Sequence, residues 1–480
     1  METRRSLVRR IAAACVPVLL CSLYTIALLA QGVTGSITGA LKDTSGAIVP
    51  NSSVTARSVE SGREWQTKTN EAGIYNLPAL PPGEYTLTVE VPGFKRLVTN
   101  PITLEVNQTA RVDLTLEVGA VAETVEVQDL APVLQTENTQ LGSVVTGNTT
   151  VNLPLNGRNF AQLTLLAPGV VTYDLSGFTS GSQGGGRPLV NGNRAQANNF
   201  RLDGLDANES QDNGVGYSPN VDAIQEFKLI TTNPPAEYGN SMGAIVNTSL
   251  KSGTNQLHGS AFEFVRNDKM DSNTWFGNAT KQPRPHFSQN IFGGTVGGPI
   301  QKNKLFFFAD FQAWHRAKGL TNSVRTVIPA AWRTGDFSTL SRQLYNPLSQ
   351  VTNGSQVTRD PFLNNQIPQS LISPAARGLF ADPNIYPLPL NGAISNNWNG
   401  AGRETIVENI GDVKIDYMIS SKDNLSGRFS MGENDDTTID AMRVNPQQPA
   451  ISKPKSGVIS WNHTFSPRVL NEARVGVNRT

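Results

Sequence analysis

The sequence predicts a mainly β protein built from several modules, and three observations carry that prediction. Apolar and polar residues alternate with period 2 in short runs from Ser36 to Val477, separated by clusters of Gly, Pro, Asn and Asp. The composition suits short strands joined by turns: 43 Gly and 29 Pro among 480 residues, with only 16% charged. The length exceeds one ordinary domain and points to about two to four. A net charge of +1 leaves no bulk electrostatic footprint for nucleic acid.

Residues 1–30 stand apart. Arg4, Arg5, Arg9 and Arg10 form a basic start, and Ile11 to Ala30 carries no charge. This reads as a secretory signal peptide ending near Ala30, although an uncleaved membrane anchor uses a similar apolar length. Leu28 suits the small-residue preference before a cleavage site poorly. Both cysteines, Cys15 and Cys21, lie in this segment, so the chain beyond it has none and folds independently of redox state.

Residues 31–118 alternate in Ser36–Leu41, Ser53–Ala56, Tyr85–Glu90 and Ala110–Leu116, with turns at Thr44-Ser-Gly46, Pro81-Pro-Gly83 and Pro92-Gly93. Short strands at this spacing predict a small antiparallel β-sandwich. The run Gly35 to Val54, followed by Thr69-Asn-Glu-Ala-Gly-Ile-Tyr75 and Leu80-Pro-Pro-Gly-Glu-Tyr85, resembles carboxypeptidase regulatory-like domains. That resemblance implies a carbohydrate-binding-like fold and no peptidase activity. Residues 119–135 read as a linker holding the β-branched segment Val121-Ala-Glu-Thr-Val-Glu-Val127.

From residue 136 to 253 the candidate strands are Leu189–Gly192, Asn199–Asp203, Ile224–Ile230 and Gly243–Thr248, with a short helix at Leu163–Gly169. Residues 254–480 change character. Val413, Ile415, Tyr417 and Ile419 oppose Asp412, Lys414 and Asp416, and Leu305–Trp314 is rich in aromatics. Strands of about ten residues, apolar on one side and polar on the other, suit a transmembrane β-barrel. A water-soluble sandwich with one wet face uses the same alternation. Residues from about 319 to 405 lack periodicity and read as a long loop.

The blocks Leu153-Pro-Leu-Asn-Gly-Arg-Asn-Phe160, Asn191-Gly-Asn-Arg194, Asn199-Phe-Arg-Leu-Asp-Gly-Leu-Asp206, Ile224-Gln-Glu-Phe-Lys228, Ala236-Glu-Tyr-Gly239 and Lys251-Ser-Gly-Thr-Asn255 decide between them. They resemble the plug domain and plug-to-barrel junction of TonB-dependent outer-membrane receptors of the Oar-like group. The resemblance implies an α+β plug at 136–253, the N-terminal part of a transmembrane antiparallel β-barrel at 254–480, and an outer-membrane location with the sandwich in the periplasm. Its implied partners are a TonB-type energy-coupling protein, outer-membrane lipid, and a small or oligomeric ligand: a siderophore, an oligosaccharide or a peptide. Glu123, Thr124, Val125, Glu126 and Val127 occupy the place of a TonB box, where an extended peptide adds a strand to a partner's sheet. The same residues also read as a last sandwich strand or plain linker. Arg158, Arg187, Asn193, Arg194, Asp203 and Asp206 become candidates for ligand or barrel-wall contact, with Arg201, Glu226, Lys228 and Glu237 in the same blocks. Each is equally readable as an ordinary surface ion pair. The Gly/Ser-rich run 177–186 reads as an apical ligand loop or a mobile one.

Enzymatic chemistry has no residues to carry it. His258, His286, His315 and His463 lack metal-ligand spacing, and no nucleophile elbow, P-loop or dinucleotide fingerprint is present. Asp206-Ala-Asn-Glu-Ser210 has Gln211 and Tyr217 where a calcium loop needs Gly and Glu. The sequence therefore implies no cofactor, metal or catalytic site. An alternative function is a non-transporting surface protein that binds carbohydrate or mediates adhesion. The residues after the plug leave room for roughly six to eight strands, against 22 in large plugged barrels. With Val477-Asn-Arg-Thr480 in mid-strand register, the expectation is an N-terminal fragment.

Overall fold

A computed structural model describes residues 34–119, 124–127, 139–172, 186–320, 323–445, 447–466 and 469–479. The signal-peptide segment, Glu123 and residues 177–185 lie outside the described residues.

The sandwich comprises β1 (Gly35–Asp43), β2 (Ser53–Ser58), β3 (Glu64–Lys68), β4 (Ile74–Leu80), β5 (Gly83–Glu90), β6 (Arg96–Thr99), β7 (Ile102–Leu104), β8 (Thr109–Arg111) and β9 (Leu114–Leu116). One sheet runs β4-β1-β8 with β9 also on β1, and the other contains β6-β5-β2-β3 with β7 on β5. Alternation fills the space between them: Ile37, Leu41, Val54, Leu87 and Val89 are all fully buried. Period 2 carries no information on strand direction, and β8 and β9 prove parallel to β1. The chain between them has crossed to the facing sheet, as a parallel return requires. Gly39 allows this return, since a Cβ there would sit 1.8 Å from the Val112 carbonyl oxygen. The strand β10 (Thr124–Val127) pairs in parallel with β6, Thr124 opposite Arg96 and Val127 opposite Thr99. The box-like segment is thus the edge strand of the sandwich's second sheet.

The plug contains β11 (Leu141–Thr146), β12 (Val170–Val171), β13 (Leu189–Val190), β14 (Asn199–Leu202), β15 (Leu205–Asp206), β16 (Ile224–Thr232) and β17 (Ile245–Leu250). Its main sheet has the order β11-β16-β17-β14-β15. Both faces of β17 are buried, which explains its unbroken Ile245-Val-Asn-Thr-Ser-Leu250 without strict alternation. Phe160, Phe200 and Phe227 form edge-to-face pairs at its centre, with ring centroids 6.2–6.4 Å apart. The expected helix after residue 160 is a 3₁₀ turn over Phe160–Leu166, started by the Asn159 side chain accepting the Ala161 amide.

The third unit comprises β18 (His258–Asn267), β19 (Phe287–Gln301), β20 (Leu305–Gly319), β21 (Ser323–Arg325), β22 (Val351–Asn353), β23 (Gln356–Thr358), β24 (Trp398–Gly400), β25 (Arg403–Met418), β26 (Asp423–Ile439), β27 (Gln448–Ser452), β28 (Lys455–Ser466) and β29 (Val469–Arg479). Eight of these form one antiparallel sheet, β18-β19-β20-β25-β26-β28-β29 with β27 on β26. Among the described residues β18 and β29 do not pair with each other, so the sheet is open. Asp412, Asp416, Arg428 and Ser430 are buried on the inner face, while Val413, Ile415, Phe429 and Met431 are exposed on the outer one. Inner-polar and outer-apolar is the arrangement a lipid-facing barrel wall needs. The aromatics of β20 depart from an interfacial girdle: Phe306, Phe308 and Trp314 point inward and are buried. Phe308 joins the plug core, because the plug supplies apolar surface inside the wall.

Short turns join the strands at one end, at Lys302–Lys304 and at 419–422. At the other end the segment between β20 and β25 is ordered by side chains. Arg325 forms a two-pronged ion pair with Asp440 at 2.7 and 2.9 Å, and Asn397 brackets Val327 with two bonds of 2.8 Å. Ser373 caps the helix Pro374–Ala381 by accepting the Ala376 amide.

Candidate functional site: the plug against the barrel wall

Asp203 sits in the tight turn between β14 and β15 with a left-handed φ of 47°, followed by Gly204 at 77°. The turn aims its carboxylate out of the plug. It lies 3.1 Å from Lys414 Nζ of β25 and 3.1 Å from Arg428 Nε of β26, and it accepts the Leu250 amide at 3.2 Å. Lys414 also donates to the Leu250 carbonyl at 3.0 Å. Beside them Tyr217 of the plug donates to Asp412 at 2.8 Å, and Asp412 is bonded by Ser430. Burial pushes the Tyr217 hydroxyl well above its ordinary value, with Asp412 adding to the effect, so it remains a donor. Ser252 at the plug–barrel junction donates to Asp416 at 2.5 Å. One connected set of charges and hydrogen bonds therefore spans plug and wall.

A second contact uses Arg158, which is buried with a left-handed φ of 52°. Its guanidinium pairs with the Asp222 carboxylate and lies 4.7 and 4.6 Å from the ring centroids of Phe262 and Phe264 on β18. Burial lowers the Arg158 pKa, and Asp222 opposes that shift. The cation therefore faces aromatic rings of the wall.

Asp310 of β20 lies directly opposite Asp412, with both of its carboxyl oxygens buried beside that second acid. Like charges placed opposite one another destabilise a ladder. Asp310→Asn should therefore stabilise the protein by about 1 kcal/mol. Thermal unfolding of the whole protein in detergent checks this, and a lowered Tm would refute it.

At the long-loop end, Arg187, the turn Glu209–Val215, the strand end Ile451–Lys455 and Arg479 surround an open vestibule of about 780 Å³. Arg187 donates to Asp212 at 2.6 Å, which together with Glu209 holds that carboxyl below its ordinary value.

A family described as "Outer membrane beta barrel domain" matches residues 249–480, and one described as "Carboxypeptidase regulatory-like domain" matches 36–117. The chain is 32% identical over 279 residues to the TonB-dependent transporter Oar of Myxococcus xanthus, covering 54% of this chain and 24% of the relative. The chain therefore carries a carboxypeptidase regulatory-like domain followed by an outer-membrane β-barrel domain, and it is similar to that TonB-dependent transporter. Its place is the outer membrane, and it spans about a quarter of the length of that relative. Among solved structures it is similar to the outer membrane transporter YddB of Escherichia coli: TM-score 0.42, 10% identity, 68% of this chain and 37% of that one. It is also similar to the ferric enterobactin receptor PfeA of Pseudomonas aeruginosa: TM-score 0.38, 11% identity, 68% and 38%.

The candidate residues divide. Asp203 and Arg158 reach the wall, and Arg187 lines the vestibule. Asp206 stays within the plug, accepting from Asn199 and from the Asn208 amide, while its carbonyl lies 3.4 Å from Asn478 of β29. Asn193 and Arg194 follow the left-handed Asn191-Gly192 turn, half-buried and exposed respectively, and are not drawn into the wall contacts. Arg201 bonds the Gly204 carbonyl within the plug, while Glu226 and Lys228 face the sandwich and not the wall. Sequence reasoning missed Tyr217, Arg428 and Ser430. The available signal was the inward parity of Arg428 and Ser430, two residues apart on an alternating strand.

Proposed function

We propose that this receptor is a transporter that takes up a ligand by energy-coupled displacement of its plug, and that β10 is the TonB box. The observation that carries the reading is the Asp203–Lys414–Arg428–Asp412–Tyr217 network. It joins two modules through charges and hydroxyls that can re-form with water, so the plug is seated firmly yet separably. Ligand enters the vestibule from the long-loop side, where Arg187 and the Glu209–Val215 turn meet it. The siderophore, oligosaccharide and peptide classes all remain compatible with its mixed charge. The sandwich lies at the short-turn end, where Arg63 bonds Asn424 at the start of β26, and this end faces the periplasm. There a TonB-type protein pairs its own strand with β10 and pulls. The pull passes along the chain to β11, whose ladder with β16 loads the plug's central sheet.

Val125→Pro tests the proposal, because proline removes an amide that strand addition needs. Uptake of a panel of radiolabelled ferric siderophore, oligosaccharide and short peptide should fall to background while binding to cells is retained. Uptake unchanged by this substitution would remove β10 from the mechanism. Binding without uptake in the unaltered receptor would favour the adhesion reading.

A further inference from the structure

Two charged side chains of the plug grip the sandwich by its backbone. Glu226 and Lys228 lie two residues apart on β16 and so share one face. Both are buried, at 5% and 4% exposure. Glu226 Oε1 accepts the Val106 amide at 2.6 Å, while Lys228 Nζ donates to the Val106 carbonyl at 2.7 Å and to the Asn107 carbonyl at 3.4 Å. Val106 is fully buried in the turn between β7 and β8. Asn107 donates to the Tyr238 hydroxyl, which also accepts from Asn247 at 3.0 Å. The turn is braced from within, since Gln108 Oε1 accepts the Glu105 amide at 2.8 Å.

A neighbouring strand would ordinarily satisfy both polar groups of Val106. Here an acid and a base do so, and the contact can part without unpairing any ladder. The sandwich also holds the wall side: Arg63 donates to Asn424 at 2.8 Å, and Asn255 at the junction donates to the Ser61 carbonyl at 2.5 Å. One domain therefore staples plug to wall. We propose that Glu226 and Lys228 form a releasable latch holding the carboxypeptidase regulatory-like sandwich on the plug, and that the latch must open before the plug moves. The contact stands on geometry alone; its role as a brake rests on the transport reading.

The latch carries a pH sense. Burial pushes Glu226 up to about 7, with Glu105 acting in the same direction and the Val106 amide and Lys228 opposing. Burial pushes Lys228 down, against Glu105, Glu226 and Glu237. Burial also raises Glu237, with Arg201 opposing, and raises Tyr238 so that it stays neutral. Undocked, Glu226 returns towards 4.5. The docked state thus binds the proton more tightly, and docking strengthens as pH falls from about 7 towards 4.5. That contribution is lost above 7.

The test uses the whole receptor in detergent with spin labels at Glu71→Cys on the sandwich and Ser210→Cys on the plug. One narrow distance distribution is expected, broadening in Lys228→Met and narrowing again in Lys228→Arg, which keeps the charge and donors. The docking constant should fall about tenfold or more in Lys228→Met. It should gain up to about tenfold per pH unit on acidification, a slope sharply reduced in Glu226→Gln. A distribution unchanged in Lys228→Met overturns the latch. The brake is read separately, from labelling of the buried Thr248→Cys by fluorescein maleimide in energised cells. Lys228→Met should label about tenfold faster, and equal rates overturn the brake. If Val125→Pro leaves Thr248→Cys labelling intact, the pull on β10 falls, while the distance measurement still decides the latch.

Discussion

Arg428→Met should loosen the plug by about 3–5 kcal/mol, because it removes one member of a buried ion network and strands the others. Arg428 is 4% exposed and lies within 3.1 Å of Asp203, 3.9 Å of Asp412 and 3.2 Å of Ser456. Without the guanidinium, Lys414 alone faces two buried carboxylates. In planar bilayers the variant receptor should show frequent spontaneous pore openings, and cells carrying it should become sensitive to bulky antibiotics. Arg428→Lys should recover part of the effect, since a point charge cannot reproduce the fork that reaches Asp203, Ser430 and Ser456 together. A closed, silent Arg428→Met pore would show that apolar packing at Phe308 and Ile410 seats the plug by itself.

Phe227→Ala should cost about 3–5 kcal/mol in the stability of the plug sheet. The ring is fully buried and meets Phe160 edge to face at 6.2 Å. Truncation opens a cavity between β16 and the 3₁₀ turn, which the backbone ladder on both sides prevents from collapsing. Hydrogen exchange of the β16 and β17 amides in the intact receptor measures the loss. Phe227→Leu should cost only about 1–2 kcal/mol, and equal effects from the two changes would argue against a tightly packed site.

The inner and outer faces of β25 were legible in the sequence. Asp412, Lys414 and Asp416 alternate with Val413, Ile415 and Tyr417, and burial follows that parity. What alternation cannot hold is register between distant segments. Asp203 meets Lys414 and Arg428 only because the plug inserts at one particular height, and 211 residues separate Asp203 from Lys414. The long loop was unreadable for a related reason. Its order comes from Arg325 with Asp440, and such single side-chain pairings leave no periodic trace. Glu226 and Lys228 were visible as charges inside an apolar strand, but nothing local told that their partner would be a turn of the sandwich.

The seven residues from Lys251 to Leu257 are the leash between β17 and β18. A Cβ on Gly253 would lie 2.3 and 2.5 Å from the Phe307 and Gly298 carbonyl oxygens, so the leash is threaded through a slot that admits only glycine. Fully stretched, seven residues reach about 25 Å. That length sets the stroke of the device. In the proposed transport cycle, a plug freed from Asp416 and Lys414 swings aside by roughly the width of a small domain and stays tied to its own wall, like a cork on a string.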